Sequence, residues 1–367
     1  MLDIRPIKLG IIVRDFKIGG CQRFISHLTS VLNKSKFQIY VTILDNKEID
    51  FLSAINPKDC KSIQINPYYK NNPYTIFWLN ERMQFMDINI SFILRADVLA
   101  GCCAKLFNIN NLIITERGGR IKRTKGYLIR TIMRLIDKYI VSKNCQSTIS
   151  NSEIGKQALI NDGFNYKNIK IIPNGIKCDY EKKIGEIKKN GHINIGYLGR
   201  LERIKNINII IKSLAQLEAK KFRLIIGGIG PEENNLKNMI KEHNLMNRVN
   251  FVGAISNLEE FFKSVDIGII PSSSESFPNI LLEHWKYNVP VIMSDIRPFK
   301  DITVGMKYTV LFKNNDKDEL TSKILLLASN IEFRMHNVNE ANNVMRRKYD
   351  IVKIIKQYEE YFINQCQ

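Results

Sequence analysis

The sequence predicts an α/β protein of two doubly wound domains, each a parallel sheet covered by helices. Three observations carry that expectation. Short apolar runs alternate with helix-length amphipathic stretches along nearly all of the 367 residues. The alternation comes in two series, divided by a charged segment (178–192, CDYEKKIGEIKKNGH) without an apolar pattern. Strands that alternate with helices imply parallel sheets buried on both faces.

The first series opens with KLGIIVR (8–14), read as a buried strand. Gly19-Gly20 then breaks the chain before a helix whose Phe24, Ile25, Leu28, Val31 and Leu32 recur at helical spacing. IYVTIL (39–44), INISFIL (88–94) and NLIITE (111–116) read as strands, and a small-residue helix, ADVLAGCCAKLF, lies between the last two. YIVSK (139–143) and STISNS (147–152) resemble short strands, and IKIIPNG (170–176) closes the series. The second series has strands at 193–199, 223–228, 249–253, 266–272 and 289–294, with helices at 206–217, 232–245, 258–265 and 279–287. The last segment, 349–363, is an amphipathic helix with no strand after it. The expected division is 1–175, with a helix at about 349–367 packing back on it, and 176–348. A ligand cleft between the two is expected at the C-terminal edges of the strands.

Composition narrows the function classes. At 44% apolar residues the chain can bury sizeable cores, and its length favours two of them. No apolar run reaches the roughly 18 residues of a membrane span, and the N-terminus lacks a secretory cleavage pattern, so a cytoplasmic protein is expected. The seven cysteines are odd in number and irregularly spaced, with no C-x-x-C pair, which suits a reducing compartment and no metal or redox motif. The formal net charge is +19, and Arg117 to Lys143 holds nine basic residues against one acid, Asp137. Such a concentration attracts phosphates, whether of nucleic acid, anionic lipid or a diphosphate-linked substrate; a solvated face of a lysine-rich chain is the plainer reading.

Three segments of the second series could hold a phosphorylated ligand. In ESFPNILLE (275–283), Ser276 is positioned as a helix cap and Pro278 suits a first turn. The amides of Asn279, Ile280 and Leu281 would then face an anion, with Glu275 before the helix start and Glu283 one turn inside it. Two carboxylates so placed suit sugar hydroxyls on either side of a diphosphate. An ordinary capped amphipathic helix accounts for the segment equally well. In GYLGRLERIKN (196–206), Gly199 ends a strand, and Arg200 and Lys205 offer a planar fork and a point charge, a pair suited to a diphosphate or simply solvated. Gly227, Gly228 and Gly230 form a glycine turn that lets a base or ribose approach the backbone. In the first series, Gly19 and Gly20 open a helix after a strand, and Arg95, Glu116 and Arg117 fall at or just past strand ends. Glu116 can equally serve to neutralise an arginine.

Other chemistries lack their residues. Asp316-Lys317-Asp318 lies in a polar loop before a helix and reads as a cap. The five histidines show no metal-ligand spacing, and no G-x-x-x-x-G-K-[ST] or G-x-S-x-G occurs.

Taken together, the segments resemble the group 1 (family 4) retaining glycosyltransferases, which have the GT-B fold. GGCQRFISHL (19–28), SNSEIGKQALINDGF (150–164), IIPNGI (171–176), GYLGRLERIKN, GGIGPEENNLKNMI (227–240), VNFVGAI (249–255), ESFPNILLE and PVIMSD (290–295) are similar to that family's motifs and fall in its order. By this resemblance Arg200 and Lys205 bind the donor diphosphate, Glu283 its ribose and Glu275 the transferred sugar. Phe277, Pro278, Asn279 and Ile280 line that sugar, above Gly19 and Gly20. FPN, SFILRAD (91–97) and ITERG (114–118) look like a subgroup of capsule, O-antigen and lipid-linked oligosaccharide assembly. The implied activity is transfer of a hexose or N-acetylhexosamine, with retention, from a nucleotide-diphosphate sugar (UDP-sugar before GDP-mannose) to a lipid-linked saccharide. No metal or other cofactor is implied. The basic stretch 117–143 would sit on the anionic inner face of the cell membrane rather than on nucleic acid.

The chain departs from the family pattern in three places. Arg95 stands where many members carry a histidine, so no general base is assigned. His284, Trp285, Lys286 and Tyr287 replace small residues after the second glutamate, placed near the donor. IRPFKDI replaces a glycine pair after Asp295. A sugar-nucleotide epimerase on the same fold, or a nucleotide-sugar or nucleic-acid binding protein without catalysis, is the alternative.

Overall fold

β1 (Ile7–Val13) is apolar and buried from Leu9 onward, because both of its faces are covered there. Leu9, Ile11 and Val13 face one core and Ile12 another, the period of two that a strand imposes. The structure, a computed structural model, describes residues 5–17, 19–47, 49–68, 72–118, 131–132, 135–179 and 191–366. Most of the basic stretch 117–143 therefore lies outside the described residues.

The chain divides into two units, residues 1–175 with 351–367, and residues 176–350. The first holds β1, β2 (Phe37–Ile43), β3 (Ser62–Ile65), β4 (Ile88–Phe92), β5 (Leu112–Glu116), β6 (Ser147–Ser150) and β7 (Ile169–Ile171), in the order β3-β2-β1-β4-β5-β6-β7. Every pairing is parallel. Helices Gly20–Val31 and Ile351–Cys366 close one face, with Phe24, Tyr358 and Phe362 in the core. Helices Tyr74–Met83 and Leu94–Phe107 close the other through Leu79, Met83, Ala100 and Cys103.

The second unit holds β8 (Ile193–Leu198), β9 (Phe222–Gly227), β10 (Val249–Gly253), β11 (Ile267–Ile270), β12 (Val291–Ser294) and β13 (Val310–Phe312), ordered β10-β9-β8-β11-β12-β13 and again parallel throughout. Helices Asn208–Gln216, Glu233–Glu242 and Lys317–Ser329 cover one face. Asn279–Lys286, Arg297–Ile302 and Ile331–Val344 cover the other. In each sheet the strand order reverses once, between β1 and β4 and between β8 and β11. Those switch points open crevices at the strands' C-terminal ends. Among the described residues, no helix is long and apolar enough to cross a membrane.

Residues 139–143, read as a strand, are helical. A π-helical turn, Asp137–Val141, runs into Ser142–Asn144. The apolar run Tyr-Ile-Val imitates a strand, but Asp137 and Val141 are buried one turn apart. A Cβ on Gly101 would lie 2.8 Å from Val141 Cγ2, so the turn nests against a bare patch of helix Leu94–Phe107. β3, β13 and helices Tyr74–Met83 and Ile331–Val344 were not assigned from sequence, whereas the helix expected after Asp316-Lys317-Asp318 is Lys317–Ser329. β3 and β13 are edge strands of three or four residues, too short for an alternation to register. Asp316 caps Lys317–Ser329, accepting from the amides of Asp318 and Glu319 at 3.1 and 2.9 Å.

Candidate active site

β8 and β11 are neighbours, so the loops that leave them meet although they lie far apart in sequence. Ser273, just past β11, donates from its amide and its hydroxyl to the Ile204 carbonyl, at 2.9 and 3.0 Å. That stitch brings Lys205 Nζ to 2.5 Å from Glu275 Oε1, with both side chains largely buried (20% and 12% exposed). A short 3-10 turn, Arg203–Lys205, sets the lysine's direction and ends at Asn206 in the left-handed region (φ 53°), a conformation asparagine tolerates. Arg200, on the same loop, is 64% exposed and pairs with Glu202 at 3.0 Å.

Tyr197 lies beneath this loop. Its hydroxyl donates to the Arg200 carbonyl at 3.0 Å. Burial, then the negative charges of Glu275 and Glu202, hold the phenol well above the usual tyrosine range, so it stays a donor. The glycines of the neighbouring turn also meet the backbone of the loop beside them. A Cβ on Gly228 (φ 124°) would stand 1.9 Å from the Gly199 carbonyl oxygen, and one on Gly230 would stand 2.4 Å from that of Leu201. The loops 199–201 and 228–230 lie backbone to backbone, joined by Leu201 N–H to Ile229 O and Glu232 N–H to Leu201 O. Glycine is required there so that the two loops can touch.

The start of helix Asn279–Lys286 corrects the expectation at ESFPNILLE. Ser276 is not the cap; Pro278 holds that position, without a side-chain hydrogen bond. Pro278 (φ −83°, ψ 83°) centres an inverse γ-turn in which Asn279 N–H donates to Phe277 O at 3.0 Å. Leu281 N–H donates to Pro278 O at 2.9 Å, so two of the three amides expected to be free are engaged. Proline fixes φ but here sits just outside the helix, and the chain turns more tightly than a capped start. Phe277 and Pro278 are buried, while Asn279, Ile280 and Glu283 are half-buried.

The residues after Glu283 form core rather than a donor wall. His284 is fully buried against β11, where a Cβ on Gly268 would lie 2.1 Å from its Cδ2. Its Nδ1–H donates to Ile280 O at 2.7 Å, and its ring meets Phe262 edge-on at 4.9 Å. Burial pulls its pKa down to about 4 against the smaller opposing effect of that carbonyl, so the ring is neutral near pH 7. Trp285 packs by Tyr349, Tyr287 stacks on Phe262, and Lys286 pairs with Asp179 at 3.1 Å.

In the first domain, Gly19 precedes helix Gly20–Val31 in an extended conformation; a Cβ there would lie 2.8 Å from Gln22 Oε1. Gln22 is buried and donates to Asp15 Oδ1 at 3.1 Å. Arg95 falls just past a strand end, as expected: β4 stops at Phe92, and Arg95 is exposed on the first turn of helix Leu94–Phe107. Between them Ile93 has φ 78°, a strained conformation for a β-branched residue at the sheet's switch point. Glu116 is buried at the end of β5 and accepts from Gly118 N–H at 2.8 Å. Arg117 turns inward. Its guanidinium lies 3.4 Å over the Phe24 ring and donates to Asn174 Oδ1 (2.6 Å) and the Tyr358 hydroxyl (2.5 Å).

Tyr197, Glu202 and Ser273 were missed from sequence. The serine run PSSSES and the tyrosine two residues before Gly199 were the only signals, and neither says what it faces. Among the described residues no three His, Cys, Asp or Glu side chains converge on a metal position. The arrangement sets an exposed arginine and an acid-held lysine at a switch-point crevice, where two cations can share the charge of a diphosphate.

The profile of the family "Glycosyl transferases group 1" matches residues 179–344, nearly the whole second unit and all of this constellation. Relatives extend the match to the first. The O-antigen biosynthesis glycosyltransferase WclY of Escherichia coli is 27% identical over 98% of both chains. The second unit is that of a group 1 glycosyl transferase. Another relative of this glycosyltransferase, 21% identical over 97% of this chain and 99% of its own, is the N-acetylgalactosamine-N,N'-diacetylbacillosaminyl-diphospho-undecaprenol 4-alpha-N-acetylgalactosaminyltransferase of Campylobacter jejuni. The two-domain GT-B fold is shared with HepE of Anabaena, solved in complex with UDP, at a TM-score of 0.83 and 16% identity over 98% of this chain and 100% of that one.

Proposed function

We propose that this glycosyltransferase moves a hexose or N-acetylhexosamine, with retention, from a nucleotide-diphosphate sugar to a lipid-linked saccharide in bacterial surface polysaccharide assembly. The observation that carries the reading is the Lys205–Glu275 pair beside Arg200 at the β8/β11 switch point. Arg200 and Lys205 bind the donor diphosphate and stabilise the charge that grows on it as the bond to the sugar breaks. Glu275 fixes Lys205 through Oε1 and reads the sugar hydroxyls with its other oxygen, while Glu283 holds the ribose. With two cations at the leaving group, the reaction needs no metal.

The UDP bound by HepE supports a uridine donor, and the name of the Campylobacter relative supports a diphosphate-linked lipid acceptor. WclY supports the place in O-antigen synthesis. The basic stretch 117–143 would then bring the enzyme to the inner face of the membrane. The test is donor turnover with UDP- and GDP-sugars and a membrane lipid extract. Lys205→Ala and Glu275→Ala should each lower transfer about a hundredfold or more while the chain stays folded, the scale of removing a transition-state donor. Unchanged turnover in both variants ends the assignment. Release of a free sugar without acceptor points instead to an epimerase.

A further inference from the structure

We infer that the second domain carries a binding site, separate from the candidate active site, for a small organic anion with an apolar body. The inference does not rest on the proposed function. A cavity of about 390 Å³ opens at the free edge of β13, the last strand of the second sheet. It straddles that edge. Lys300 and Phe333 reach it from the helices on one face, Lys323 and Leu326 from helix Lys317–Ser329 on the other. Its volume lies at the low end of the range for small-molecule sites, and its lining mixes a larger apolar part with a few polar groups, as such sites do. Arg200, Lys205 and Glu275 take no part in it.

The apolar wall is held in place by the protein itself. Glu340 accepts from the Lys307 and Tyr308 amides at 2.7 and 2.8 Å, and Asn337 Nδ2 donates to Tyr308 O at 2.7 Å. Those bonds fix the segment that carries Met306 and Thr309, and the Tyr308 ring meets Phe333 edge-on at 5.5 Å. The polar groups have capacity left. Asp295 N–H donates to Phe312 O at 2.8 Å, so Phe312 faces β12, and the alternation of a parallel strand turns Leu311 N–H and C=O to the free edge. Thr309 Oγ1 is buried and, among the described residues, has no hydrogen-bond partner; a turn about χ1 swings it toward the cavity that Thr309 lines. Lys300 lies 3.3 Å from Asp295 and Lys323 lies 3.7 Å from Glu319, loose contacts that leave each ammonium further donors. Both acids also accept from main-chain amides, of Asn314 and Lys313, and neither lines the cavity. Two ammonium groups, a main-chain amide and a hydroxyl beside an aromatic wall suit an acid group on an apolar body. A peptide strand or a second copy would find only Leu311 of β13 facing outward to pair with, too little for a ladder.

The experiment titrates the full chain with 3-phenylpropanoate, phenyl phosphate and the neutral 3-phenylpropanol, followed by ligand-observed NMR with and without saturating UDP. One anion at least, carboxylate or phosphate, should bind one-to-one with a Kd of about 1 mM or below, and the alcohol about tenfold more weakly. UDP should leave that binding unchanged. Leu326→Trp, which fills the cavity, should abolish it. Thr309→Val, and separately Lys300→Ala/Lys323→Ala, should each weaken it about threefold or more while melting temperatures stay near wild type. Equal affinity for the alcohol and the anions overturns the inference, as does wild-type affinity in Leu326→Trp or in both of the other variants. Displacement by UDP would place the probe in the donor site and overturns it too. So does a dimer, seen by light scattering without probe, that Leu326→Trp abolishes, because the cavity would then belong to a second copy.

Discussion

Lys205 Nζ and Glu275 Oε1 lie 2.5 Å apart although seventy positions separate them in the chain. Only the adjacency of β8 and β11 makes that possible. Both side chains are mostly withdrawn from water, so each is the other's chief compensation for lost hydration. Replacing Lys205 or Glu275 singly by alanine should cost about 2 kcal/mol of second-domain stability, the scale of a hydrogen bond to a charged group. Removing both should cost less than the sum of the two. Urea unfolding of the two single variants and the double variant checks this; strict additivity would mean that the pair is not coupled in solution.

Gly228 should not tolerate a side chain, and the reason can be separated from its backbone angle. Gly228→Ala places a Cβ 1.9 Å from the Gly199 carbonyl, at φ 124°. Gly253 also has positive φ (68°), but nothing lies within 4 Å of where its Cβ would be. Gly253→Ala should therefore cost only about 1 kcal/mol, from the left-handed conformation. Gly228→Ala should cost about 3 kcal/mol or more, because the loops 199–201 and 228–230 must part. Thermal melts of the two variants compare them directly. Equal losses would show that the loops do not lie against each other.

His284 should make second-domain stability depend on pH in a defined window. The folded-state pKa is lowered to about 4 from the ordinary value of 6.5, so the unfolded chain binds the proton first as pH falls. Stability from the neutral buried ring is complete above about 6.5 and is lost as pH drops toward 4, by an amount on the order of 3 kcal/mol. Asp179, held down to about 2 chiefly by its hydrogen bond from Lys177, contributes in the opposite sense of charge: its stability is lost only below the usual carboxylate range. His284→Leu should flatten the melting-temperature profile between pH 6.5 and 4 and leave the fall below pH 4 in place. An unchanged slope in the upper window would assign it to another group.

The two series of strands and helices were legible because a buried parallel strand writes itself as an apolar run and a covering helix as a 3.6-residue stripe. β3 and β13 were not, being three or four residues long at sheet edges. Residues 139–143 were misread because Tyr139, Ile140 and Val141 have strand-like composition, while the contact that makes them helical, Val141 on Gly101, lies forty residues away. In the candidate site, Arg200, Lys205 and Glu275 could be named from their segments. Their pairing, the Ser273 stitch and the phenol beneath them depend on which strands are neighbours, and no local pattern carries that. Pro278 was placed one residue too far into its helix, because the rule for prolines in first turns does not specify where the turn begins.

Arg117 was named from sequence for its place past a strand end, and the structure gives it a job inside the first domain. Its guanidinium stacks on Phe24 and donates to Asn174 and to Tyr358, so it ties helix Gly20–Val31 and the end of the strand series to helix Ile351–Cys366. A planar fork can make those three contacts at once, and an ammonium cannot. Arg117→Lys should therefore behave as a deletion, costing about 2 to 3 kcal/mol. Hydrogen exchange of 351–366 should speed up in step, because Tyr358 loses its partner. Burial keeps the Tyr358 phenol above its ordinary range even beside the guanidinium, so the hydroxyl remains neutral and able to accept. Tyr358→Phe should reproduce part of the loss and leave the Asn174 contact. A variant at Arg117 that keeps stability and exchange protection but loses transfer would return this residue to the ligand-binding edge of the strands, where the sequence first placed it.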